Sequence, residues 1–124
     1  MSTDEFFEAY VQCALWTSHD ETDSDAEYLD FNYNQSDIDE ATLYKMRMDC
    51  HCFVIGCSSL MAGNWSQAGH DFWLTRNGHG AGFWDREPTT YGTEENRDRL
   101  DWAARSHGGF DLYVGEDGKI HGTR

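Results

Sequence analysis

A His-Asp step at His70-Asp71, followed by His79 and Asp85, is the part of the chain best equipped for chemistry. A histidine beside a carboxylate can pass a proton as general acid or base, and the same groups can hold a divalent ion. His70, Asp71, His79 and Asp85 therefore define a candidate site for a small metal-assisted enzyme. No nucleophile motif accompanies them. Cys50-His51-Cys52 offers zinc-type ligands. On a helix, however, Cys50 and Cys52 point about 200° apart, which prevents them from sharing one tetrahedral ion. Asp23, Asp25 and Glu27 alternate as calcium-loop ligands do, yet the following Gly and the distal paired acid are missing. No cofactor or metal is expected from these runs, and a non-enzymatic protein is the leading expectation.

Charge supports two readings, a well-solvated surface with no specific partner or binding to a basic surface or cation. The net charge is −14, and residues 1–49 hold 13 of the 23 Asp/Glu against only Lys45 and Arg47. Such a chain repels nucleic acid and anionic membranes and attracts basic protein surfaces. Asp20, Glu21, Asp23, Asp25 and Glu27 are its candidate binding residues. Duplex DNA carries about one charge per 1.7 Å of axis. Thirteen acids in 49 residues could approach that density over a short stretch and imitate phosphate toward a nucleic-acid-binding protein. A second candidate surface is Trp73 and Trp84, with Arg76 and His79 beside them. The two indoles could stack on single-stranded bases, although the net charge opposes this. Burial of both Trp under a helix is the alternative.

These residues need elements to position them. Asn77-Gly78 is a strong two-residue turn signal and predicts a hairpin over residues 72–84. In that register Phe72, Leu74, Ala81 and Phe83 face the core, while Trp73 and Trp84 share the other face with Arg76 and His79 at the tip. His79 then lies about 17 Å from the other three acid–base candidates, which argues against one compact site. A second hairpin is predicted over 110–121, turning at Asp117-Gly118 with Glu116 opposite Lys119 and Phe110, Leu112 and Val114 on one face.

Apolar residues at helical spacing predict helices over 2–16, 36–62 and 94–107. Ser2 with Glu5, then Ser36, then Thr93 are the expected caps. In the second helix Leu43, Met46, Cys50, Phe53, Cys57 and Leu60 form an apolar seam, either core or dimer interface. Gly56 there costs up to about 1 kcal/mol relative to Ala and is read as permitting a close approach. Residues 17–36 lack periodicity and form an acidic loop, docked through Leu29 and Phe31. The expected fold is α+β: three helices packed on an antiparallel sheet made of two β-hairpins, in a single domain over 1–124.

Five Trp, six Tyr and seven Phe can build the core of one such domain. No apolar run reaches membrane-spanning length. The acidic start lacks the basic region and apolar run of a signal peptide. With four cysteines read as free thiols, the expected compartment is the cytoplasm. The oligomeric state stays open.

The run GHDFWLTRNGHGAGFWD from Gly69 to Asp85, with Leu112 to Ile120 and Leu43 to Cys50, resembles a family of small uncharacterised proteins of tailed bacteriophages and prophages. The resemblance covers roughly residues 36–122. It implies expression in a host bacterial cytoplasm and implies no chemistry. With that origin, the favoured expectation is a binding or inhibitor protein acting on a host protein with a basic surface. Direct contact with nucleic acid or membrane is not expected.

Overall fold

The computed structural model describes residues 2–22, 25, 27–79 and 81–123. Helix α1 spans Ser2–Thr17, α2 Glu40–Cys57, α3 Trp65–Arg76 and α4 Glu94–Ser106. Strands β1 (Asp111–Val114) and β2 (Ile120–Thr123) follow as one antiparallel pair. The fold is α+β, with four helices and a two-stranded sheet among the described residues. None of these helices is long and apolar enough to cross a membrane.

Helix α1 follows its pattern: Phe6, Phe7, Tyr10, Val11, Cys13, Ala14 and Leu15 are buried, and it packs chiefly against α3. The proposed Ser2 cap rests on a side chain outside the described residues. The α1–α3 crossing is close because Gly69 has no side chain. A Cβ at Gly69 would overlap the Phe6 carbonyl oxygen and lie 3.2 Å from the Ala9 Cβ.

The first predicted hairpin is absent. Residues 72–76 complete α3 instead, and Phe83–Asp85 form one 3-10 turn. Ala68, Asp71, Phe72, Thr75 and Arg76 recur at helical spacing and are buried. Trp73 and Leu74 are buried too, so almost the whole circumference of α3 is covered and no clean period is visible in its sequence. Asn77-Gly78 still reverses the chain, but as the stop of a helix: Gly78 has φ +72° and its N–H donates to the Thr75 carbonyl.

Helix α2 starts at Glu40, not near Ser36. Asp39 caps it, its carboxylate accepting from the N–H groups of Ala41 and Thr42. Ser36 lies in a separate 3-10 turn, Gln35–Asp37, capped by Asn34. The break has a tertiary cause. Ile38 bridges to Ile120, and the Asp39 N–H donates to the Ile120 carbonyl at 2.8 Å. Met46, Cys50, Phe53 and Cys57 are buried, so the seam is core. Gly56 faces open space: a methyl group added there would meet nothing within 4 Å, so no close approach occurs.

Phe53 is the centre of an aromatic stack. Its ring lies 4.3 Å from Phe72, 5.8 Å from Phe6 and 5.8 Å from Phe83. Three helices and the turn after α3 are thus joined through large apolar contacts. Helix α4 keeps its predicted Thr93 cap and buries Leu100 and Ala104.

The C-terminal hairpin forms with a register one residue from expectation. Val114 faces Ile120 and Leu112 faces Gly122. The Gly115 N–H donates to the Lys119 carbonyl at 2.8 Å, enclosing a longer turn than Asp117-Gly118 alone. A one-residue slip exchanges faces. This register puts Ile120 on the buried side with Leu112, which explains why it prevails.

Candidate functional site

Asp71 and Arg76 both lie on α3, and each anchors a buried polar network. The Asp71 carboxylate is fully buried. It accepts from Arg86 Nη2 at 2.8 Å and Nε at 3.1 Å, from the Tyr91 hydroxyl at 2.7 Å and from Gln67 Nε2 at 3.1 Å. Burial, with the Asp71 charge adding to it, pushes the Tyr91 phenol far up, so it stays a donor. Arg86 is raised above its ordinary value, chiefly by its hydrogen bonds to Asp71. The Asp71 carboxylate is therefore engaged in holding α3 to the segment before α4.

Arg76 was expected at an exposed hairpin tip and is instead buried. It donates through Nη1 to Asp49 Oδ2 and to the Tyr10 oxygen, both at 2.9 Å, and through Nε to the Gly108 carbonyl at 2.8 Å. The network joins α1, α2, α3 and the end of α4. Asp49 and Tyr10 were not singled out from sequence. The available signal was an acid directly beside Cys50 on an apolar seam, which demands a partner.

Burial alone would raise the Asp49 carboxyl, but hydrogen bonds and charge from Arg76 and Lys45 outweigh it and hold the group below the ordinary carboxylate range. A depressed folded-state value contributes stability above the unfolded value of about 3.9 and loses it as pH falls through the folded value. Thermal unfolding followed from pH 7 to pH 2 should therefore show a loss of stability below about pH 4. The Asp49→Asn protein, less stable at neutral pH, should show a shallower loss. Parallel curves would refute this role for Asp49.

The other acid–base candidates are not gathered with Asp71 into a site. His70 lines a cleft beside α1, His79 lines a different cleft, and Asp85 is exposed. No group of three or more His, Cys, Asp or Glu among the described residues is placed to hold a metal ion. Cys50 is in the core and Cys52 on the surface, opposite sides of α2. Burial pushes the Cys13 thiol up to about 12, with Asp71 adding to the effect.

Trp73 and Trp84 do not share a face. Trp73 is buried, its indole N–H donating to Thr17 Oγ1 at 2.8 Å, whereas Trp84 is 52% exposed. A paired stacking platform for bases is therefore not present. His79 is exposed at the rim of a cleft of about 700 Å³ that also includes His19, Glu21, Asp111 and Tyr113.

The acidic loop is held at both ends. His19 bridges Tyr28, with the Asp20 N–H donating to the Glu27 carbonyl at 3.3 Å and the Leu29 N–H to the Ser18 carbonyl at 2.9 Å. Leu29 is the buried anchor; Phe31, expected to dock beside it, is 71% exposed. Glu21, Asp25 and Glu27 are exposed. Asp20 is not presented outward: it is buried, and its Oδ1 accepts from the Thr22 N–H and hydroxyl. Asp23 lies outside the described residues.

Comparison with family models, curated proteins and solved structures finds no match. Residues 1–44 contain no Lys or Arg. The next two cations are committed elsewhere: Lys45 pairs with Asp49 at 3.0 Å, and the Arg47 guanidinium lies over the Phe7 ring at 4.1 Å. The Tyr28 phenol is raised above its ordinary value, first by the charge of the adjacent Glu27.

Proposed function

We propose that the protein is a non-enzymatic binding or inhibitor protein of phage type that docks its acidic loop on a basic surface of a host protein in the bacterial cytoplasm. The observation that carries this reading is the exposure of Glu21, Asp25 and Glu27 on one pinned loop, in a region with no Lys or Arg before Lys45. The loop presents carboxylates where a nucleic-acid-binding partner would meet phosphates, so occupying that partner's site is the inhibitory mechanism. Long-range attraction of this kind speeds encounter and is screened by salt.

The test is capture of a partner from bacterial lysate by the tagged full chain, followed by affinity measurement against salt. The wild type should lose affinity steeply as salt rises. The triple variant Glu21→Gln, Asp25→Asn, Glu27→Gln should bind on the order of tenfold or more weakly at low salt, with a flatter salt slope. Asp20 is left intact because it shapes the loop. Unchanged affinity and slope in the triple variant would refute the docking reading.

A further inference from the structure

Beside the acidic loop lies a cleft of about 600 Å³ between the C-terminal half of α1, residues 30–35 and α3. Its walls include Val11, Leu15, Trp16, Tyr33 and His70, and Asp30 contributes a carboxylate. Trp16 is 56% exposed even though it stands over this cleft, and its ring lies 6.3 Å from that of His70. A large, half-exposed indole beside two further rings offers a surface on which a planar group can stack. No Lys or Arg lines the cleft among the described residues. Burial holds the His70 imidazole below its ordinary value, with the Arg86 charge adding to the effect against the pull of Asp71.

We propose that this cleft receives an arginine side chain of the basic partner, its guanidinium stacked on Trp16 and its N–H groups donating to Asp30. The inference rests on the docking reading and deepens it by naming the partner group. Aromatic rings and one carboxylate, with no Lys or Arg among the described lining residues, are complementary to a positive charge. Arginine fits better than lysine. Its planar, weakly hydrated guanidinium stacks on a ring while still donating to a carboxylate, whereas an ammonium keeps its water. Charge complementarity from the neighbouring loop brings the basic surface in, and the cleft selects which side chain is taken.

The experiment titrates the full-length protein with oligo-arginine and oligo-lysine peptides of equal length at low salt. The wild type should bind the arginine peptide about three- to tenfold more tightly. The arginine peptide should also shift the Trp16 indole N–H resonance, identified by its absence in Trp16→Leu. Trp16→Leu and Asp30→Asn, both surface changes, should each abolish the preference while leaving a salt-sensitive residual affinity. The loop triple variant should weaken both peptides and keep the preference.

Equal affinity for the two peptides in the wild type, or a preference that survives Trp16→Leu, would overturn the assignment of the cleft. A loop triple variant that binds both peptides as the wild type does would overturn the docking reading, while the arginine preference would still decide the role of the cleft separately. Absence of binding by either peptide would overturn both.

Discussion

Replacing Arg76 by Met is expected to lower the unfolding free energy by about 3–5 kcal/mol. Met conserves much of the aliphatic stem, so the loss isolates the guanidinium. That group pairs with Asp49 at 2.9 Å, donates to Tyr10 and caps the Gly108 carbonyl from a fully buried position. Its removal takes from the nearly buried Asp49 carboxylate a fully buried cationic partner, whereas the Lys45 side chain, paired with it at 3.0 Å, is about half exposed. The cost comes mainly from desolvated groups that lose a buried partner, not from the net worth of the pair. A loss of this size is a large share of a typical domain stability of about 5–15 kcal/mol. It should move the melting temperature down by roughly 10 °C or more. Adding Asp49→Leu to Arg76→Met should recover part of it, because the buried negative charge is then gone. Chemical denaturation of the two single variants and the double variant measures this coupling. A cost below about 1 kcal/mol for Arg76→Met would show that the network does not hold the helices together.

Gly69→Ala is expected to destabilise by about 3 kcal/mol or more, although helix propensity alone predicts a gain of about 1 kcal/mol. The decisive term is steric. The added methyl meets the Phe6 backbone carbonyl of α1, which cannot rotate away as a side chain would. Either the two helices separate, losing contacts around Phe6 and Phe72, or the backbone distorts. Gly56→Ala in α2 is the matched control. Nothing lies within 4 Å of its Cβ position, so only the propensity term acts. It should be stabilising by up to about 1 kcal/mol. The two substitutions therefore carry opposite signs for the same chemical change. Equal signs in urea unfolding would mean that Gly69 does not hold α3 in close contact with the Phe6 backbone.

Elements with one buried and one solvated face were legible before folding. The periods of residues 2–16 and 94–107, the Thr93 cap and the seam from Met46 to Cys57 each reflect one-sided burial, which writes itself into local spacing. The charge asymmetry was equally plain, since Glu21, Asp25 and Glu27 stay at the surface as a run of acids ordinarily does. Position by position, however, local sequence could not show that Asp20 turns inward to bind Thr22 while its neighbours do not.

What local sequence determined about this protein is its α+β class, its helical seams and the location of its acid-rich segment. Tertiary structure decided the rest. Helix α3 is surrounded by α1, α4 and the aromatic stack, and a helix covered on nearly every side has no solvent face to mark its period. Asn77-Gly78 supports either a hairpin or a helix stop, because both need a residue that tolerates positive φ; the packing of Phe72 against Phe53 selected the second. The roles of Arg76 and Asp71 depended on Asp49 and Arg86, partners 27 and 15 residues away. Such pairings become obligatory only when folding removes both charges from water together, so no property of either residue's neighbours in the chain announces them.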